Sequence, residues 1–164
     1  IKVKKNLVGV NTHFANKIAH HALSNNLIEE ISNNDNIKPE VFFDKETRFD
    51  FLIEKKKQKI FVEVKNVTLF RDKKIAEFPD SVTTRGSKHL KTLIEAIKKG
   101  YKSYLLFLVQ IQGVESFRIA KDIDNEYYQN YLIAKKAGVK FLAYRCKINT
   151  KEIKVEKKIK ILDK

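Results

Sequence analysis

The chain has 164 residues, 43% hydrophobic and 33% charged, a size and balance that fit one domain with a real core. Its longest apolar stretch, Tyr104–Val109, is of strand length, which excludes a membrane-spanning helix, and no secretory signal opens the chain. The formal net charge of +14 favours a polyanionic partner, nucleic acid first, although the excess of Lys over Arg, with abundant Asn and Ile, is also what AT-rich codons produce.

In chain order, the opening Ile1 in a sequence without methionine is expected where an N-terminal part is missing. Asn11-Thr12 is an N-cap pattern, and Phe14, Ile18 and Ala22 recur every four residues after it, which predicts a helix over 12–24. The polar run Ser32–Asn36 reads as a loop and Val41-Phe42-Phe43 as a short strand. In Arg48–Ile53, Phe49, Phe51 and Ile53 fall on one face by period two, and Arg48, Asp50 and Leu52 on the other. Lys55–Gln58 is a polar turn. The returning strand, Ile60–Lys65, sets Ile60, Val62 and Val64 on one side and Phe61, Glu63 and Lys65 on the other. A loop follows through Phe78-Pro79-Asp80 to Arg85-Gly86, and then a helix to about Lys99. That helix carries an apolar stripe of Leu90, Leu93, Ile94 and Ile97, with Lys88, Lys91 and Lys98 together on another side and Gly100 as its terminating glycine.

Ser103–Ile111 is apolar enough for a strand covered on both faces. Asp124 caps a further helix that stops at Gly138 and buries Tyr127, Tyr131 and Ala134. Lys140–Cys146 is another buried strand. Cys146, the single cysteine, cannot close an internal disulfide; it reads as core filling, not as a nucleophile, and a reducing cytoplasm is the expected location. Ile153–Leu162 alternates apolar residues with lysine, as an edge strand does. The order is helix, three strands, helix, strand, helix, strand, which predicts an α/β fold: a mixed sheet flanked by helices on both faces, with residues 1–164 as one domain.

The hairpin around Lys55–Gln58 carries the chemistry. If Glu54 stands opposite Lys59, Asp50 falls opposite Glu63, and directly opposed Cβ atoms lie roughly 4.5–5.5 Å apart. Two carboxylates so placed repel, and folding does not ask for them. A hard divalent cation, Mg²⁺ or Mn²⁺, would turn repulsion into attraction. Lys65, two residues after Glu63 on the same face, then reaches a phosphate under attack or the water that attacks it. The plainer account is an exposed charged face of a half-buried sheet, which needs no function.

The spacing of Asp50 and Glu63-Val64-Lys65 resembles the D…(D/E)xK signature of the restriction-endonuclease-like superfamily. Val10-Asn11-Thr12 with Ala15-Asn16, Arg48-Phe49-Asp50-Phe51, Val62–Leu69, Phe78–Gly86 and Lys88-His89-Leu90 further resemble successive signatures of the sugar fermentation stimulation protein (SfsA) family, from about Val8 to about Cys146. The resemblance implies a DNA-binding protein with a nuclease-like C-terminal domain, preceded in the family by a small OB-type barrel absent from this chain. It places Asp50, Glu63 and Lys65 at the catalytic positions, with Asp50 and Glu63 as metal ligands. Many nucleases of the superfamily add a glutamate on the first helix; here that helix offers His13, His20 and His21 but no carboxylate before Glu29, and Glu40 is the candidate substitute.

Arg85, Lys88 and His89 are the candidate nucleic-acid-binding residues. A helix start at Arg85-Gly86 suits a phosphate, and His89 is either an acid–base group or a structural hydrogen-bonding one. Asn11 and Asn16 are candidates for orienting the site, although helix capping alone explains Asn11. His20 and His21 are adjacent and cannot share one helical ligand face, so no zinc site is expected. The function expected is metal-dependent hydrolysis of DNA phosphodiesters. The alternatives are a catalytically silent DNA-binding regulatory module and, last, an RNA-associated basic domain that leaves the hairpin unexplained.

Overall fold

The computed structural model describes residues 1–3, 6–9 and 14–163. A ribbon of β1 (Lys2–Val3) and β2 (Asn6–Leu7) precedes α1 (Ala15–Ser24). The expected cap Asn11-Thr12, and His13, lie outside the described residues. Helix α1 buries Ala15, Ile18, Ala19, Ala22 and Leu23, and the alanines let it approach the sheet closely. Phe14, expected on that stripe, is instead 47% exposed.

After a 3₁₀ turn at Glu29–Ile31 comes an antiparallel meander of β3 (Asn36–Phe42), β4 (Arg48–Lys55) and β5 (Gln58–Val67). Strand β3 begins earlier than its apolar residues suggest. Pro39 sits inside it, tolerated because β3 is the edge of the sheet. The β4–β5 turn is tighter than expected: Lys55 pairs with Gln58, and Lys56 takes φ 54° at the tip.

The remaining elements are β6 (Ile75–Phe78), α2 (Thr84–Lys98), β7 (Lys102–Val109), β8 (Ser116–Ile119), α3 (Asn125–Ala137), β9 (Lys140–Ile148), β10 (Ile153–Lys158) and β11 (Lys160–Leu162). Gly100 and Gly138 follow α2 and α3 with φ of 89° and 105°, the left-handed turn-off expected of them. The main sheet has the order β10-β9-β7-β5-β4-β3, with β5, β7 and β9 parallel and the outer pairings antiparallel. Beside it lies a parallel sheet of order β11-β8-β6. This second sheet corrects the sequence reading, which left β6 in a loop and ran β10 and β11 together. The tail divides at buried Ile159, so β10 edges the large sheet and β11 joins the small one. Strands this short, paired with distant segments, leave no local period to read.

Helices cover both faces of the main sheet, as expected. On one face α1 packs over Phe51, Ile53, Ile60, Val62 and Val64. On the other, Phe49, Leu52 and Phe61 pack with α2, α3 and the small sheet's Ala76 and Phe117. Phe49 therefore does not share a face with Phe51 and Ile53: the two-residue alternation of β4 slips at Asp50-Phe51. Ring contacts of Phe49 with Phe43 and Phe61, at centroid distances of 5.7 and 5.0 Å, hold it on the α2 side. Cys146 is buried among α1-side residues, and burial pushes its thiol up to about 12, which fits core filling. Among the described residues no helix is long and apolar enough to cross a membrane.

Candidate functional site

The slip in β4 builds the site. Glu54 pairs with Lys59 as expected, but the ladder between β4 and β5 ends at Phe51–Val62, one position before Asp50 would meet Glu63. The strands part there, and the Asp50 side chain takes over from the main chain: its Oδ2 accepts from the Val64 N–H at 2.7 Å. Its Oδ1 accepts from Asn16 Nδ2 on α1, also at 2.7 Å. Asp50 is thus not a ladder partner of Glu63 but a carboxylate turned toward α1 and pinned at both oxygens.

Glu63 points to the other face, onto α2. It is buried, and its Oε1 accepts from Lys65 Nζ at 2.8 Å. The same oxygen is in short contact with His89 Nδ1. Lys65 Nζ also lies 3.1 Å from His89 Nδ1. A carboxylate can only accept and an ammonium only donate, so Glu63 and Lys65 make opposite demands on that one nitrogen. Burial by itself pushes the Glu63 carboxyl up; the bond from His89 and the charge of Lys65 outweigh it and hold Glu63 below the usual carboxylate range. Asp50 goes the other way. Burial first, then the charge of Glu63, raise its carboxyl, and the bonds from Val64 and Asn16 offset this only in part.

These observations test whether a divalent cation fits. Glu63 Oε2 is buried with no hydrogen-bond partner among the described residues, an orphaned acceptor in a place where orphans are expensive. Asp50 lies close enough for its protonation to respond to Glu63. Two oxygen donors of like charge, one unsatisfied, are the donor set a hard cation takes. The chemistry of Asp50 and Glu63 fits one, with Glu63 Oε2 the open oxygen and both Asp50 oxygens already accepting from Val64 and Asn16. Among the described residues no group of three or more His, Cys, Asp and Glu has the geometry to hold a metal ion. Glu40, the candidate third ligand, is exposed and faces Arg48 at 3.5 Å.

Of the residues expected to hold a nucleic-acid backbone, Arg85 is exposed in the first turn of α2, with no ion-pair partner among the described residues. Lys88 is exposed and pairs with Glu46 at 2.8 Å, an arrangement open to exchange with a phosphate. His89 does not join them; it is buried against Glu63. Helix α2 starts at Thr84 and is capped by Thr83, whose Oγ1 accepts from the Gly86 N–H at 3.0 Å. The Gly86 N–H expected to face a phosphate is therefore already taken. Asp124 ties this turn to α3, accepting from the N–H groups of Tyr127 and Thr83 at 2.9 and 2.8 Å.

Sequence reasoning flagged Asn16 but missed Asn66 and Gln110. Asn66 on β5 lines a cavity with Asp50, and its Oδ1 accepts from Gln110 Nε2 at 2.6 Å. Its one signal was its place in the stretch following Glu63-Val64-Lys65; Gln110 had none.

Comparison with known proteins gives the family and the fold. A family model described as the sugar fermentation stimulation protein RE domain matches residues 13–152. The sugar fermentation stimulation protein homolog of Pelagibacter ubique is 82% identical over 163 residues, covering 99% of this chain and 70% of that protein. The homolog of Pseudoalteromonas atlantica is 40% identical over 157 residues, covering 94% and 67%. Among solved structures, that of Pyrococcus furiosus SfsA in complex with Ca²⁺ superposes with a TM-score of 0.85 at 27% identity, covering 93% of this chain and 66% of the other.

Proposed function

The chain belongs to the sugar fermentation stimulation protein family, and on that premise we propose that it binds DNA and hydrolyses its phosphodiester bonds at a metal centre held by Asp50 and Glu63. One observation carries the reading: a carboxylate on each of two neighbouring strands stands where the ladder ends, the charge of Glu63 raising the carboxyl of Asp50, with a lysine bound to Glu63 and one Glu63 oxygen buried and unpartnered. The Ca²⁺ in the Pyrococcus structure supports a site for hard divalent cations, a class that includes Mg²⁺ and Mn²⁺. When bound, such an ion supplies Lewis acidity at phosphorus and eases deprotonation of the attacking water.

The protein's own groups set the geometry. Asn16 and the Val64 N–H fix the Asp50 carboxylate. His89 fixes Glu63 and leaves Oε2 open. Lys65, half-buried, places a positive charge beside these carboxylates, where it stabilises the charge that develops on a phosphate oxygen. Arg85 and Lys88 on α2 hold the backbone without reading sequence. A second reading has its own support: Lys65 and His89 already give Glu63 cationic and hydrogen-bonding partners, as a silent binding module would need.

Cleavage of plasmid and oligonucleotide DNA separates the two. We expect hydrolysis with Mn²⁺ or Mg²⁺, none with EDTA, and a loss of more than about a hundredfold in Asp50→Ala. No cleavage, with salt-sensitive DNA binding indifferent to Asp50→Ala, would leave the silent module as the function.

A further inference from the structure

On the α1 side of the site lies a cavity of about 620 Å³, lined among others by Asn16, Lys17, His20, Glu40, Asp50 and Asn66. Its size is that of a small-molecule site. It does not face the buried Glu63 but opens from Asp50, where the ladder parts. Two of its amides are fixed by their neighbours. Asn16 commits its NH₂ to Asp50, so what it can offer an occupant is its carbonyl oxygen, an acceptor. Asn66 commits its carbonyl to Gln110, so what it can offer is its NH₂, a donor. The buried Gln110 that sets this polarity is itself confined: a Cβ on Gly9 would stand 2.3 Å from its Oε1. The ring of exposed His20 stands 5.9 Å from that of Phe51, which, with Pro39, lines the same cavity with flat apolar surface.

The charge of the lining selects the occupant. Glu40 is paired with Arg48 at 3.5 Å and Asp50 is matched by Lys17 on the wall, so neither sign of charge is in excess inside the cavity and nothing there is built to hold a phosphate. A neutral, planar group with both donors and acceptors on its edge is favoured. Beside a centre that acts on a phosphodiester, that group is a nucleobase. A base in a duplex is stacked and paired and cannot enter so small a space; only an unpaired or extruded one can. We propose that this cavity receives an unpaired nucleobase next to the phosphate under attack, so that the protein selects DNA with single-stranded, gapped or bulged character. The proposal rests on the DNA-hydrolase reading of the site and supplies its substrate class.

The test is fluorescence anisotropy of the protein in Ca²⁺ with one DNA sequence offered as blunt duplex, as duplex with a single bulged nucleotide, and as single strand. Stacking of one base on an aromatic ring is worth about tenfold in affinity, so bulged and single-stranded forms should bind about tenfold tighter than the duplex. His20→Ala and Asn66→Leu should each collapse that ratio several-fold. Asn66→Leu unpairs the buried Gln110 and so risks the fold; His20 is exposed, and its replacement does not. Equal binding of all three forms, or a preference that survives His20→Ala, overturns the proposal while leaving the DNA-binding reading in place. Absence of binding to any form at low salt overturns both.

Discussion

Asp50 is a carboxylate whose folded surroundings oppose its charge, and this gives a stability test of the metal centre that needs no turnover. Burial and the charge of Glu63 raise its carboxyl. For an acid, a raised folded pKa means that the folded state holds the proton more tightly than the unfolded one, so stability is lost as pH rises through the folded value. Asp50→Asn keeps the shape and an acceptor for the Val64 N–H while removing the charge; its new NH₂ meets Asn16, whose amide turns over to accept from it. Near neutral pH it should unfold in urea at an equal or higher concentration than the parent, by up to about 1 kcal/mol. A bound divalent ion reverses the balance: Mn²⁺ at a hundred times its Kd should stabilise the parent by about 2.7 kcal/mol, a rise of several degrees in Tm, and leave Asp50→Asn unmoved. An equal shift in both would place the ion elsewhere. These residues stood out in the sequence because carboxylates at this spacing on a hairpin would repel, although a charged sheet face also explains them. Their facing did not. Nothing in Arg48-Phe49-Asp50-Phe51 marks the slip that sends Asp50 to α1, and the meeting of Glu63 with His89 depends on how α2 lies across β5.

Among the elements, the small sheet holds the least expected feature, a buried carboxylate outside the candidate site residues. Glu77 on β6 is nearly inaccessible and accepts from Arg71 Nε and Nη2 at 2.7 Å each and from Arg118 Nε on β8 at 2.9 Å. Arg71 continues to Asp122 at 2.9 Å, so one chain of charges joins β6, β8 and the turn before α3. The bonds from Arg71 hold the Glu77 carboxyl below its ordinary value of 4.5, against the opposing effect of burial. A depressed folded pKa means stability that is fully present above pH 4.5, erodes below it, and is gone once pH falls through the folded value. Glu77→Gln should therefore cost about 2 kcal/mol in urea unfolding near neutral pH. That is less than the 3–5 kcal/mol of a fully buried pair, because the Arg71 and Arg118 side chains remain 42% and 35% exposed. The gap between parent and variant should narrow as pH drops below 4.5; a gap independent of pH would mean that Glu77 contributes shape and not charge. The large elements were legible because α2, β7 and α3 are long and strongly patterned, and Asp124 and Gly138 bound α3 where caps are expected. Strands β6, β8 and β11 have four, four and three residues, and β6 and β8 are joined by an ion pair between segments distant in sequence.

For the molecule as a whole, the question is whether the charge of +14 is a binding surface or a compositional habit, and position decides between them. A habit spreads lysine evenly, and each lysine then contributes equally and weakly to any polyanion contact. A binding surface concentrates the effect on a few groups near the candidate centre. The structure separates two kinds of cation. Arg85 stands in the first turn of α2, the helix that carries His89 to Glu63, and has no ion-pair partner among the described residues. Lys154 lies on β10, at the opposite edge of the sheet from β3, and is paired with Glu152 at 2.9 Å. Each phosphate neutralised adds about 0.9 to the slope of log affinity against log salt for duplex DNA. Arg85→Ala should lower that slope by about 1 and weaken binding alike on unrelated sequences, whereas Lys154→Ala should leave it unchanged. Equal, small changes from both substitutions would assign the charge to composition and move the DNA contact away from α2. With the full change in Arg85→Ala alone, the polyanion path runs along α2 toward the gap between β4 and β5, where the carboxylates lie.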